Sequence, residues 1–223
     1  MQTDLDFEYL YKDREEAYKE LFELVPSEME FDESWEIVTP SINNLPQVCE
    51  ISDKLNISCE PFFVEEITAP NNTECAIASV SELKEIVIHK NLLDSFEIGE
   101  DYVYDMSEKI YNANILTKIF AFKLGKTINN LHGKNIMMFL DSCETGLNTL
   151  CVIKSLLNQG VKKIFIFIPI ISDDLYQSLD MIVDRVYASH RLKDFIRTSY
   201  YYEDFSDVDI DRLRFEVEKR RTV

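Results

Sequence analysis

Two short runs, Ile136-Met137-Met138-Phe139-Leu140 and Ile164-Phe165-Ile166-Phe167-Ile168, are apolar at every position. A strand with one face in water alternates apolar and polar residues. A run without alternation needs cover on both faces, which a parallel sheet layered by helices provides. Between the runs, Leu147, Leu150, Ile153 and Leu157 recur at helical spacing, and Gly160 stops the helix. Strand, helix and strand make a βαβ unit. The expected fold class is therefore α/β, with an open, mostly parallel, doubly wound sheet.

The flanking segments extend that pattern. Tyr18, Leu21, Phe22 and Val25 predict an amphipathic helix over roughly residues 12–25, ended by Pro26. Ile37-Val38-Thr39 reads as a first strand, Leu45, Val48, Ile51 and Leu55 as one face of a helix, and Pro61-Phe62-Phe63-Val64 as a second strand. Ala69-Pro70-Asn71-Asn72 is turn-like, and Ala76 to Val80 with Ile86 to His89 suits a small antiparallel excursion. A long helix is expected over 103–131, with Ile110, Ala113, Ile119, Phe120 and Leu124 facing inward and Gly125 ending or bending it. After Pro169, a helix from Asp173 to Met181 and a strand at Val186-Tyr187-Ala188 repeat the alternation. Residues 197–206 read as irregular and aromatic, and 209–221 as a charged helix with Ile210, Leu213 and Val217 as its apolar stripe. With no repeat or Gly/Pro/Ser-rich linker, one domain is expected over 1–223, its core at about 12–190 and its tail at 191–223.

Charge narrows the function. Of 223 residues, 41 are acidic and 23 are Lys or Arg, a formal charge of −18, which has the wrong sign for a sequence-independent nucleic-acid binder. Residues 1–66 hold 18 acids and 4 bases, so anionic ligands are repelled from that end unless a metal intervenes. No apolar run reaches the roughly 18 residues of a membrane helix, and Met1-Gln2-Thr3-Asp4 does not open a basic, then apolar leader. The five cysteines, Cys49, Cys59, Cys75, Cys143 and Cys151, form no Cys-x-x-Cys pair. A cytoplasmic protein with reduced thiols and no membrane contact is expected.

The loop after the first apolar run is the place for chemistry. In open α/β sheets, ligands sit where strands end and helices begin, because unpaired amides and the helix dipole converge there. Within Asp141-Ser142-Cys143-Glu144-Thr145-Gly146-Leu147-Asn148, Gly146 permits a close backbone approach and Thr145 and Asn148 offer donors, so a phosphate can be cradled. Asp141 beside it can accept from sugar hydroxyls. The plainer alternative is that Asp141 and Thr145 cap a helix and Gly146 makes a turn.

Residues 136–149 resemble the phosphoribosyl-diphosphate loop of type I phosphoribosyltransferases: apolar residues, acids, a variable stretch, then Thr-Gly-x-Thr/Ser. Other segments follow in order. Residues 37–57 resemble the strand, diphosphate loop and helix of a bacterial subgroup of putative phosphoribosyltransferases, and Asn72-Thr73-Glu74-Cys75-Ala76-Ile77-Ala78 resembles its Asn-Pro-Glu-Leu-Ala-Ile-Gly. Asp194-Phe195 and Tyr202-Glu203-Asp204-Phe205-Ser206 resemble its Asp-Phe and Trp-Tyr-Glu-Asp-Phe-Ser, so the likeness spans roughly residues 12–210. The resemblance implies transfer of ribose 5-phosphate from phosphoribosyl diphosphate to a nitrogenous base, with magnesium helping the diphosphate leave. It implies that Asp141 holds a ribose hydroxyl, that Thr145 and Gly146 clasp the 5-phosphate, and that the protein is a homodimer.

The departures fall on the charged contacts. Leu140 stands where the family's first acid belongs, Ser142 where a Gly is common, and Asn148 where a Thr or Ser is usual. The subgroup's Arg-Gly-Gly diphosphate loop is matched by Ile42-Asn43-Asn44, which removes the cation, although Asn tolerates left-handed backbone. A basic pair becomes Glu65-Glu66. Like charges ~4 Å apart repel by ~4 kcal/mol at an effective dielectric near 20, so this reverses a contact unless magnesium bridges it.

Other groups have a plainer alternative. Cys143 precedes a helix N-terminus but Glu144 opposes a thiolate there; His190-Arg191 at the sheet's ligand edge can meet a ligand or water. His89, His132 and His190 are too scattered for a metal site. Tyr200-Tyr201-Tyr202 with Phe205 can stack on a base or pack the tail, Asp173-Asp174 can bind a cation or complement a helix dipole, and Met29, Phe31 and Trp35 can meet a partner or roof the sheet. Two readings of function follow: a phosphoribosyltransferase-like protein binding phosphoribosyl diphosphate or a nucleoside monophosphate with weak or altered transfer, and a non-catalytic homologue serving regulation or protein interaction.

Overall fold

A computed structural model describes residues 9–128, 130–211, 213 and 214. The main sheet has five parallel strands, β1 (Trp35–Thr39), β2 (Ser58–Pro61), β6 (Asn135–Phe139), β7 (Lys163–Ser172) and β8 (Arg185–Leu192), in the order β2-β1-β6-β7-β8. A second, antiparallel sheet is built from β3 (Val64–Ala69), β4 (Asn72–Ser81) and β5 (Ile86–Ile88). This is the expected open, doubly wound α/β arrangement with its antiparallel excursion.

Both faces of the main sheet are covered, as the unalternating run in β6 requires. Met137 and Phe139 point to the face roofed by α1 (Arg14–Glu23) and α2 (Leu45–Leu55), where Ala17, Tyr18, Leu21, Val48 and Ile51 are buried. Ile136, Met138 and Leu140 point to the other, where α6 (Leu147–Asn158) and α7 (Asp173–Asp180) contribute Val152, Ile153, Leu156 and Leu179. Phe31 and Trp35 stack edge to face and join the first of these clusters, so they roof the sheet.

Several expectations are corrected. The second strand ends at Pro61 and the next begins at Val64, leaving Phe62 and Phe63 as a buried connector between the two sheets. The excursion has a third strand, β3, and α3 (Lys90–Ser95) precedes the long helix. That helix runs as α4 (Glu100–Ile110), a π-turn (Tyr111–Ile115) and α5 (Leu116–Lys123), with Leu124 and Gly125 at positive φ ending it. In an unbroken α-helix, Val103 and Ile119 would fall on nearly opposite sides. The π-turn absorbs an extra residue and keeps both inward, while Ala113, Phe120 and Leu124 face water.

Leu150 and Leu157 are also exposed. Helix α6 is wedged between two sheets, so its buried sector is wide and uses small residues on the antiparallel side: Cys151 against the Ser79 carbonyl and Ser155 on the Ser81 hydroxyl. The leucine spacing marked the helix but not its buried face. Residues 198–201 form a 3-10 turn, and Tyr202 bridges Tyr11. The helix expected over 209–221 lies largely outside the described residues.

Candidate functional site

The strand order turns back between β1 and β6: the chain moves outward from β1 to β2 on one side and from β6 to β8 on the other. Loops after the two central strands diverge at such a switch point and leave a crevice at the carboxyl edge. The loop after β1 is Pro40–Asn44 and the loop after β6 is Asp141–Gly146. Both candidate loops are therefore brought to one place.

Six of the eight residues expected after β6 line a cavity of about 260 Å³: Ser142, Cys143, Glu144, Thr145, Gly146 and Asn148. Gly146 is at φ +76, which turns the chain into the first turn of α6; an added Cβ there would meet Leu175 Cδ1 at 2.8 Å. Thr145 Oγ1 accepts from the Leu147 amide at 3.4 Å, and Leu147 itself is buried. Cys143 is buried beside the Thr149 hydroxyl at 3.2 Å, and burial pushes its thiol up to about 11, which makes it a packing residue rather than a nucleophile.

Across the cavity stand Glu66 and Glu74. Ser79 donates to Asn148 Oδ1 at 2.5 Å, and Asn148 donates to Glu66 Oε1 at 3.2 Å, so Asn148 is held between the two sheets. Burial, then the charges of Glu65 and Glu144, raise the Glu66 carboxyl above its usual range. Glu65 and Glu66 do not act as a pair. Strand alternation turns Glu65 away to Lys118, while Glu66 faces the cavity. Glu144 accepts from the Thr198 amide at 3.1 Å, tying the loop to the C-terminal segment.

Asp141 does not line this cavity. It is buried, its Oδ1 accepts from Arg14 Nε at 2.9 Å, and Ser41 Oγ approaches its Oδ2 at 3.5 Å. Burial raises its carboxyl despite the opposing pull of the Arg14 cation. Leu140 is core, as an apolar side chain at the end of β6 must be. In the loop after β1, Asn44 is fully buried, accepting from Thr39 Oγ1 at 2.6 Å and donating to Tyr18 Oη, while Ile42 packs on the antiparallel sheet. Of residues 42–44, Asn43 is the one with polar side-chain atoms turned outward, and these meet Asp207 and Val208.

Sequence spacing missed Arg14, Glu74 and Asp207. Arg14 lies 127 positions from Asp141, and no local pattern links them. Of the remaining candidates, Arg191 pairs with Asp173 at 2.8 Å and covers the Tyr176 ring, and His190 lies 3.5 Å from Glu20. Tyr201 and Tyr202 are buried and Tyr200 is exposed, so this cluster mainly packs the tail. Among the described residues, no three His, Cys, Asp or Glu side chains converge to hold a metal, and no helix is long and apolar enough to cross a membrane.

The fold matches a solved structure over nearly all of both chains. The crystal structure of TT1426 from Thermus thermophilus superposes with a TM-score of 0.72, covering 94% of this chain and 98% of that one at 17% identity. The two proteins share a fold. Purine phosphoribosyltransferase from Pyrococcus horikoshii (TM-score 0.46, 13% identity, 86% and 93% covered) and a hypoxanthine phosphoribosyltransferase from Staphylococcus aureus (0.46, 10%, 84% and 78%) are more distant. No protein-family model and no curated protein matches the chain.

Proposed function

We propose that this protein is phosphoribosyltransferase-like and binds a ribose 5-phosphate ligand, phosphoribosyl diphosphate or a nucleoside monophosphate, at the loop after β6, with weak or altered transfer to a base. The observation that carries the reading is the Thr145-Gly146 turn. It stands at the switch point, has left-handed backbone at the head of a 12-residue helix, and opens into a cavity large enough for a phosphoryl group and part of a sugar. The resemblance of residues 136–149 to the family's loop supports the same assignment.

The surroundings explain why transfer would be weak. Three carboxylates, Glu66, Glu74 and Glu144, line the cavity, and each one within ~4 Å of a phosphate oxygen costs several kcal/mol. Magnesium is bound through one or two carboxylates plus substrate phosphates rather than by an all-protein cage, and Glu66, which lines the cavity, would be its protein ligand. The metal would neutralise diphosphate charge. Asp141, which the resemblance assigns to a ribose hydroxyl, is engaged by Arg14 and has to be released before it can accept from a sugar. The protein is read as cytoplasmic, as a homodimer and without nucleic-acid partners.

Calorimetry with phosphoribosyl diphosphate or a nucleoside monophosphate, each with magnesium, tests the reading. Saturable heat that is lost in Gly146→Val supports it, and no heat at millimolar ligand with either compound removes it. Base-dependent diphosphate release, abolished by Asp141→Ala, would establish transfer; binding without release would favour a non-catalytic regulatory module.

A further inference from the structure

The loop after β1 carries Ile42 where the resemblance implies a cation, yet a cation stands beside that loop. Arg14, at the start of α1, is buried between that loop and Asp141. Its Nη1 donates to the Ser206 carbonyl, and its guanidinium lies 3.9 Å above the Phe205 ring. Beside it, Asn43 donates from Nδ2 to the Asp207 carboxylate at 2.7 Å and accepts from the Val208 amide at 3.2 Å. One short segment thus places a carbonyl and a carboxylate on the two outward donors of the crevice.

We propose that Arg14 and Asn43 form an anion site for the diphosphate end of the ligand, and that residues 205–208 occupy it as an internal competitor. The proposal rests on the reading of the neighbouring loop as a ribose-phosphate clasp. The segment is a short exposed stretch between two anchors, so it can open as a loop. Upstream it is anchored: Tyr202 bridges Tyr11 and is buried, and the amides of Glu203 and Asp204 donate to the carbonyls of Tyr11 and Lys12 at 2.9 and 2.8 Å. Downstream, Val208 packs on the antiparallel-sheet cluster in which Leu213 is buried, and between these anchors Ser206 and Asp207 are exposed and held by the Arg14 and Asn43 contacts.

Asp207 and a diphosphate carry the same sign and compete for the same donors of Arg14 and Asn43. Asp207 raises the Asp141 carboxyl through its charge, so its departure relieves a repulsion inside the crevice. A cavity of about 210 Å³ is lined by Arg14, Asn43 and Gln47 together with Asp204, Ser206 and Val208. Two acids on its α1 side have partners: Asp13 accepts from the Glu16 amide, and Glu15 pairs with Lys19. A ligand that binds only the open form sees its affinity reduced by the fraction of closed molecules, so weakening the segment tightens binding.

The test uses inorganic diphosphate on the full chain. Asp207→Ala, at an exposed position, is expected to bind it about tenfold more tightly than the unaltered protein, and Arg14→Gln in the same background to lose that gain. In the unaltered protein, diphosphate should accelerate hydrogen exchange at the Val208 amide and leave the Glu203 and Asp204 amides protected. Equal affinity of Asp207→Ala and the unaltered protein, or unchanged Val208 exchange at saturating diphosphate, overturns the proposal. Binding of a nucleoside monophosphate or phosphoribosyl diphosphate that survives either failure leaves the loop reading standing, and diphosphate-driven opening with neither compound bound sinks the loop reading alone.

Discussion

Lys123 Nζ lies 2.6 Å from Glu82 Oε1, and both side chains are almost wholly withdrawn from water. Glu82 also accepts from the amides of Phe63 at 2.9 Å and Ile128 at 2.8 Å. One carboxylate therefore joins the end of β4, the connector between the sheets and the segment after α5. Removing it strands two amides and leaves the buried Lys123 cation only Glu60, 3.5 Å away and partly exposed, whereas removing Lys123 leaves a carboxylate that keeps both amide donors. Glu82→Ala is expected to cost about 3–5 kcal/mol and Lys123→Met about 1–3. Urea unfolding of both variants checks the order, and a larger loss in Lys123→Met would contradict this account.

At Gly146 the backbone and the packing act together. Valine there would pay for left-handed φ and collide with Leu175, so Gly146→Val should destabilise by about 2–4 kcal/mol. In a Leu175→Ala background, the same Gly146→Val should cost only the backbone part, about 1–2 kcal/mol. Thermal unfolding of the three variants separates steric from conformational cost. An unchanged penalty in the Leu175→Ala background would remove Leu175 from the explanation.

Glu66 carries a pH signature. Its carboxyl in the folded protein is raised by burial and by the charges of Glu65 and Glu144, so the fold holds a proton more readily than the unfolded chain. Stability therefore falls as pH rises from the unfolded value, about 4.3, through the folded one, and the penalty is complete above it. Glu66→Gln keeps an acceptor for Asn148 but has no charge. It should stabilise at pH 7, have little effect below about pH 4, and, in the absence of magnesium, tighten binding of a phosphate-bearing ligand. Denaturant midpoints at the two pH values decide it, and an equal shift at both would refute the charge argument.

The parts of this architecture that depend on local pattern were legible in the sequence. Ile136–Leu140 and Ile164–Ile168 lack alternation because both faces of β6 and β7 are covered, and the loop after β6 carries its own left-handed glycine. What depends on a second packing partner was not. Leu150 and Leu157 repeat at helical spacing, but α6 touches two sheets and buries Cys151 and Ser155 in their stead. Phe120 and Leu124 fall on the wrong side because a π-turn, which carries no composition signal, resets the helix phase. The site shows the same division. Six of the eight loop residues line the cavity, while Asp141 is claimed by an arginine from another element, which only tertiary contact reveals.

That arginine gives the last prediction. In Arg14→Met, Asp141 keeps its burial and loses the cation that lowers its carboxyl, so its pKa climbs further. The variant should lose about 3–5 kcal/mol at pH 8, where the unpaired carboxylate is charged, and less at pH 5, where Asp141 can take up a proton. The double variant Arg14→Met/Asp141→Asn removes the buried charge and should recover much of the loss at pH 8 but little at pH 5. Any deficit common to both pH values reports the Phe205 and Ser206 contacts that Met cannot make. A loss that is independent of pH and unrelieved by Asp141→Asn would mean that Arg14 matters only through those contacts, and that its charge plays no part in the crevice.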